Sequence, residues 1–192
     1  VVAEAVGATE VAAGRAEDCR REAVTPALRP AYVAIGSNLE DPPRQVRRAM
    51  EHLSRREGLR VELRSRLYRS SPMGPQDQPD FVNAAVGLLT SLTPRELLEA
   101  LLSIEKMMGR DRRERWGPRR IDLDLIWLVG DPVDEPGLTL PHPGVSERNF
   151  VLYPLADIAP SLRIPGHGRV AELAGRIGDA GLSVLEDLRG SS

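Results

Sequence analysis

Ala31-Tyr32-Val33-Ala34-Ile35-Gly36-Ser37-Asn38 is a short apolar run closing on Gly-Ser-Asn, which reads as a buried strand followed by a turn. Downstream, Pro42 to Arg56 reads as an amphipathic helix, because Val46, Ala49, Met50 and Leu53 follow helical spacing and Pro43 suits a first turn. Leu59 to Arg69 sets Leu59, Val61, Leu63 and Leu67 among charged residues, the pattern of one half-buried strand. A loop dense in Pro and Gly spans Ser70 to Pro79, and a further strand is expected over Phe81 to Thr90. Thr93-Pro94-Arg95-Glu96 carries a cap, a first-turn proline and a glutamate three residues after the threonine, so a helix starts there, runs to Met108 and stops at Gly109. With a strand through Ile121 to Trp127, the order is strand, helix, strand, strand, helix, strand. That succession predicts an α+β, ferredoxin-like fold: a mainly antiparallel sheet with helices packed on one face. Beyond Asp131 the chain is turn-rich, then apolar from Phe150 to Ile158. A short helix over Val170 to Ile177 and a strand over Leu182 to Leu185 complete the domain.

The last strand of that series carries Asp122 and Asp124, although strands are a poor place for aspartate. Alternate strand side chains share a face, so the two carboxylates point one way while Ile121, Leu123 and Leu125 point the other. Two carboxylates about 7 Å apart on one face can each give an oxygen to Mg²⁺, which takes one or two carboxylates and completes its shell with water and phosphate. A solvated Asp-x-Asp is the plainer reading. Arg110, Arg112, Arg113, Arg115, Arg119 and Arg120 just upstream favour the metal, since guanidiniums and carboxylates held together call for mutual pairing or for a polyphosphate with its cation.

Composition narrows the setting. The chain has 192 residues and is 41% hydrophobic, enough for one core, and a single domain is expected over residues 30–188. Residues 1–29 read as an N-terminal extension, helical or disordered, and 189–192 as a tail. A formal net charge of −2 supplies no overall field for nucleic acid or an anionic membrane, and the basic character is local to residues 110–120. A small polyanion is the partner this suggests. Cys19 is the only cysteine, which excludes an intrachain disulfide framework and agrees with a cytoplasmic setting. No run approaches the roughly 18 apolar residues of a membrane span.

Several ordered stretches carry a specific likeness: Ala34-Ile35-Gly36-Ser37-Asn38-Leu39, Gly74-Pro75-Gln76-Asp77-Gln78-Pro79-Asp80-Phe81-Val82-Asn83-Ala84, and Arg115-Trp116-Gly117-Pro118-Arg119-Arg120-Ile121-Asp122-Leu123-Asp124. Together with Leu140-Pro141-His142-Pro143 and Arg148-Asn149-Phe150, they resemble the signatures of the 6-hydroxymethyl-7,8-dihydropterin pyrophosphokinase family, in register from Ala31 to Leu188. The resemblance implies an enzyme of folate biosynthesis that transfers the β,γ-pyrophosphoryl group of ATP to a reduced pterin and releases AMP, with two Mg²⁺ held by Asp122 and Asp124. It implies a pterin pocket in which Phe81 and Phe150 sandwich the ring, Asn83 bonds its polar edge, Trp116 closes over it, and Ser70, Ser71 and Met73 line the adjoining loop. Ser70-Ser71 stands where other members often carry Thr-Pro.

For ATP the same likeness points to Arg110, Arg112, Arg115, Trp116, Arg119 and His142, and more weakly to Glu105, Leu125, Thr139 and Arg148. Arg110, Arg119, Asp122 and Asp124 are the expected catalytic set, and Tyr32, Trp127 and Tyr153 are assigned to packing. The expected partners are ATP and a reduced pterin, with a monomeric chain and a link or fusion to other enzymes of the same pathway. Two further readings stand beside this one. A two-metal nucleotidyl- or phosphotransferase would use the same aspartates. A ferredoxin-like RNA-binding module is disfavoured by 4% aromatic content and by bare carboxylates on the strand face.

Overall fold

An apolar run such as Ala31–Ile35 needs cover on both edges and both faces, and the fold supplies it. In the computed structural model, which describes residues 27–75, 77–110 and 117–186, β1 (Arg29–Ser37) lies between two antiparallel neighbours, β4 (Phe81–Thr90) and β5 (Asp122–Leu128). Arg29, placed in the extension by sequence, is the first residue of β1 and pairs with Thr90. Residues 1–26 and the tail 189–192 lie outside the described residues, as do Arg112, Arg115 and Trp116. The remaining strands of the main sheet are β2 (Leu59–Arg64), β3 (Leu67–Ser70) and, near the end of the chain, β10 (Leu182–Glu186). The order is β10-β3-β4-β1-β5, with β2 also pairing β4. This is the expected ferredoxin-like arrangement, extended by one edge strand.

The single strand expected over Leu59 to Arg69 is in fact two. The backbone N–H of Ser65 donates to the Ala85 carbonyl at 3.0 Å, while the Ala85 N–H donates to Ser65 Oγ at 2.8 Å, so a side chain replaces a ladder carbonyl at this point. Arg66 then turns its own N–H to Asp157 Oδ2 at 3.1 Å. The alternation of apolar residues is blind to such a break, because each half keeps its own period. Leu63, just before the break, is left exposed.

The helices also depart from expectation in not keeping to one face. α1 (Pro42–Arg55) and α2 (Pro94–Met107) cover the face that carries Val33, Ile35, Leu123 and Leu125. Asp41 caps α1 by accepting from the Arg44 N–H at 3.4 Å, and Thr93 and Glu96 form the predicted capping box on α2. β4 and β1 are apolar on their second face as well, through Ala34 and Ala85, and exposure there would cost the fold its apolar burial. The run Phe150–Ile158 meets that need. It forms most of α3 (Asn149–Ile158), which with α4 (Val170–Ile177) packs over Ala34, Ala85 and Ile126.

Between these elements the turn-rich segment holds a hairpin, β6 (Val133–Glu135) with β7 (Leu138–Leu140), and a smaller one joins β8 (Arg163–Ile164) to β9 (Gly168–Arg169). The β6-β7 hairpin leads to His142, whose N–H donates to the Ile126 carbonyl at 2.9 Å on the open edge of β5. Trp127 is buried, while Tyr32 and Tyr153 are half-buried against the core, in keeping with packing roles. No helix among the described residues is long and apolar enough to cross a membrane.

Asp157, in the last turn of α3, fastens that helix to the β2–β3 break. Arg66 reaches it with Nε at 2.9 Å and Nη2 at 2.6 Å, and Arg66 Nη2 also donates to the Tyr68 hydroxyl at 2.6 Å. Burial alone would push the Asp157 carboxyl up, but the bonds from Arg66 and Tyr68 hold it below its ordinary range. Arg66→Ala or Asp157→Ala is expected to cost about 2 kcal/mol, less than a fully buried pair because Arg66 is partly solvated. Since the folded-state pKa of Asp157 is depressed, its contribution is complete above about pH 4 and is lost as pH falls through the lowered value. Urea unfolding at pH 7 and in acid should therefore show the gap between wild type and Asp157→Ala closing in acid.

Candidate active site

Register decides which side chains meet. Cross-strand partners share a face of the sheet, and the antiparallel pairings align Tyr68, Asn83, Gly36 and Asp122 in one row across β3, β4, β1 and β5. The next row holds Ala85, Ala34 and Asp124, and the pair Ser70 and Phe81 lies on the other side. All of these point to the face where α3 packs; α3 covers Ala34 and Ala85, while Gly36, Asn83, Asp122, Ser70 and Phe81 lie nearer the strand ends. Gly36 forms the floor: a Cβ built there would sit 3.3 Å from Asn83 Oδ1, so glycine keeps the space between Asn83 and Asp122 open. Asn83 is itself fixed, its Nδ2 donating to Ser70 Oγ at 2.9 Å.

A cleft of about 280 Å³ opens on this floor. The expected pterin residues Ser70, Ser71, Met73, Phe81, Asn83 and Phe150 all line it, and so do Arg110, Arg119, Asp122, Asp124, His142 and Arg148. Phe81 comes from the start of β4 and Phe150 from the first turn of α3, both half-buried. A second cleft, about 450 Å³, lies between α2, β5 and the β7 end of the hairpin, and its walls include Glu105, Leu125 and Thr139. The two clefts share Arg110, Asp124 and His142. Two compartments therefore meet at Asp124 of β5.

Charges at this junction are densely arranged. Arg110 pairs with Glu105 and lies 2.6 Å from Asp122 Oδ1, and Arg119 donates to Asp122 Oδ2. Arg148 Nη1 is 3.6 Å from Asp124 Oδ2. Burial, and secondarily the neighbouring Asp122, push the Asp124 carboxyl up, while burial holds the His142 imidazole below its ordinary value despite the pull of Asp124. His142 Nδ1 accepts the Gly144 N–H at 3.0 Å, which puts the proton of the neutral ring on Nε2. Glu105 is fully buried, and its Oε1 accepts the Leu123 N–H at 2.7 Å while pairing with Arg110, so it fixes Arg110 to the root of β5.

The donor set fits a hard divalent cation. Asp122 and Asp124 offer only oxygen from one strand face, and Asp122 Oδ1 is buried without a hydrogen bond of acceptable geometry despite the nearby guanidinium. Among the described residues no group of three or more His, Cys, Asp or Glu converges on a point.

Sequence reasoning missed Gly36, Gln78 and Val151 in the first cleft and Leu98, Leu102 and Leu138 in the second. For Leu98, Leu102 and Glu105 a signal existed, because their spacing places them on one stripe of α2. For Gly36 the only signal was its place in the Ala34–Leu39 motif, since its role depends on which residues of β4 and β5 lie beside it.

Comparison with known proteins identifies the family and the fold. The family described as 7,8-dihydro-6-hydroxymethylpterin-pyrophosphokinase matches residues 32–160. A 2-amino-4-hydroxy-6-hydroxymethyldihydropteridine pyrophosphokinase of Methylorubrum extorquens is 47% identical over 156 residues, covering 81% of this chain and 98% of its own length. Its counterpart in Pseudomonas aeruginosa is 47% identical over 142 residues, covering 74% and 88%. Among solved structures, wild-type HPPK-DHPS of Plasmodium falciparum superposes with a TM-score of 0.63 at 14% identity, a likeness of fold; the match covers 78% of this chain and 44% of that longer one.

Glu105→Ala would leave Arg110 and the Leu123 N–H without their buried acceptor, at an expected cost of about 2 kcal/mol. Glu105→Gln keeps an acceptor for Leu123 and should cost less, an ordering that urea unfolding of the two variants checks directly.

Proposed function

The chain belongs to the 7,8-dihydro-6-hydroxymethylpterin-pyrophosphokinase family, and on that premise we propose how its two clefts move pyrophosphate from ATP to the hydroxymethyl group of the reduced pterin. The reaction is a step of folate synthesis. One observation carries the assignment of residues: a cleft edged by Phe81, Asn83 and Phe150 and a cleft walled by Leu98, Leu102 and Leu125 meet at Arg110, Asp124 and His142. A transfer between two bound molecules needs this adjacency, because holding both reactants in line supplies much of the rate.

In this reading the pterin lies over Gly36, stacked between Phe81 and Phe150, with its polar edge on Asn83. Ser70, Ser71 and Met73 border it from the loop before β4. The adenine of ATP takes the second cleft, with Leu98, Leu102, Glu105, Leu125 and Thr139 in its walls, and the triphosphate runs to the junction. There Arg110, Arg119 and Arg148 face the phosphate oxygens and His142 presents Nε2–H to them, donors suited to charge that builds as the bond to the leaving group lengthens. Arg112, Arg115 and Trp116 complete the family pattern from outside the described residues. The pterin hydroxyl oxygen bonds to the β-phosphorus, the bond from that phosphorus to the α-phosphate oxygen breaks, and AMP leaves while the hydroxyl proton is released. Two Mg²⁺ ions on Asp122 and Asp124, when bound, supply charge neutralisation for the triphosphate and acidify the attacking hydroxyl. As ATP enters, Arg110 and Arg119 exchange their contacts with Asp122 for phosphate.

A monomeric chain acting in the cytoplasm completes the proposal, supported by two adjoining clefts within one chain and by the single cysteine. Nucleic acid and membrane have no place in it, as the net charge of −2 indicates. A functional link to other enzymes of the pathway is supported by structural relatives in which a matching domain forms part of an HPPK-DHPS chain.

Incubation with ATP, Mg²⁺ and 6-hydroxymethyl-7,8-dihydropterin should yield AMP and the pterin diphosphate. ADP or free pyrophosphate as the product would point to a kinase or a nucleotidyltransferase and overturn the assignment. Asp122→Asn and Asp124→Asn should each abolish turnover in folded protein, and Mg²⁺-dependent activity at the wild-type level in both would rule out their metal role. Arg119→Ala should lower kcat by about a hundredfold with a Tm shift of only a few degrees.

A further inference from the structure

Asn38 stands at the corner between β1 and α1, is 2% exposed, and uses its whole amide. Its Oδ1 accepts the backbone N–H of Arg119 at 2.6 Å, and its own backbone N–H donates to the Arg119 carbonyl at 3.0 Å. Both peptide groups of the arginine that pairs with Asp122 are thus held by one residue. In the other direction, Asn38 Nδ2 donates to the Pro79 carbonyl at 3.1 Å and to Gln78 Oε1 at 3.1 Å. Gln78 Nε2 donates onward to the Pro75 carbonyl at 3.0 Å, so the amide secures the loop that leads into Phe81.

The corner around it is braced. Ser37 Oγ donates to the Arg120 carbonyl at 2.7 Å, and Glu40 pairs with the Arg120 side chain. Glu40 and Asp41 hold φ of 52° and 62°, a left-handed pair that residues other than glycine adopt at a cost and that persists only where the surroundings enforce it. A fully satisfied buried amide at such a corner links two segments that approach the cleft from opposite sides and are 40 residues apart in sequence, from Pro79 to Arg119.

We propose that Asn38 is a positioning residue that sets the phosphate-side arginine and the pterin-side loop from a single side chain. It touches neither substrate. Its Oδ1 arm governs where Arg119 stands, and hence kcat, while its Nδ2 arm governs the entry to Phe81, and hence the KM for the pterin. The proposal rests on the transfer reaction assigned above.

The two arms separate by mutation. Asn38→Asp keeps an acceptor for the Arg119 N–H but sets an oxygen against the Pro79 carbonyl and Gln78 Oε1. Asn38→Ala removes both arms. In steady-state assays with ATP, Mg²⁺ and 6-hydroxymethyl-7,8-dihydropterin, Asn38→Asp should raise the pterin KM about tenfold while kcat and the ATP KM stay within about twofold of wild type. Asn38→Ala should lower kcat at least about tenfold below the Asp variant, so that the retained acceptor registers as rescue. Folded variants with wild-type kcat and KM values and only a lower Tm would overturn the proposal, as would equal rises in both KM values for Asn38→Asp. If the Ala variant does not fold, the pterin KM of the Asp variant decides alone. Wild-type protein in the same assay separates the two readings: no AMP there overturns the reaction and the proposal with it, whereas normal wild-type turnover beside unchanged variants overturns the role of Asn38 alone.

Discussion

The antiparallel register that sets Gly36 between Asn83 and Asp122 is the constraint on which the site depends. Strand side chains alternate with a period of two, so a slip of one residue between β1 and either neighbour would send that neighbour's polar groups to the opposite, apolar face. The helices α1 and α2 make such a slip costly, because Ile35, Leu123 and Leu125 would leave the core they share. The burial of one face therefore fixes the chemistry of the other. Glycine at the middle of the row leaves the space that any other residue would begin to fill.

Cover on the second face is incomplete in a useful way. α3 and α4 bury Ala34, Ala85 and Ile126 but stop short of the strand ends, and the first turn of α3 places Arg148 and Phe150 at that boundary. Asp157 and Arg66 anchor the far end of the same helix, so its near end stands over the cleft at a set distance from Phe81. Charge follows the same plan. Carboxylates and guanidiniums neutralise one another within the protein.

The parts of the site that sequence reveals are those whose residue types conflict with their local setting. Aspartates inside a strand, arginines crowded before it, and only two phenylalanines, both within ordered motifs, stand out without any structure. Gly36 and Asn38 do not stand out in that way. A glycine and an asparagine at a turn satisfy local rules whatever else they do, and their roles arise from bonds to residues that are 47 and 81 positions distant. The break between β2 and β3 escapes for a related reason: a serine hydroxyl stands in for a backbone carbonyl, and apolar periodicity carries no record of it.

By itself the sequence determined the order of the main strands and helices apart from the β2–β3 break, the capping box of α2, and the shared face of Asp122 and Asp124, because these follow from periodicities and hydrogen bonds spanning a few residues. Tertiary structure alone decided that helices cover both faces, that the two clefts meet at Asp124, and that one asparagine holds Arg119 and the loop before Phe81 together. Those outcomes depend on contacts between segments tens of residues apart, and which segments meet is settled only when the sheet closes and buries its apolar faces.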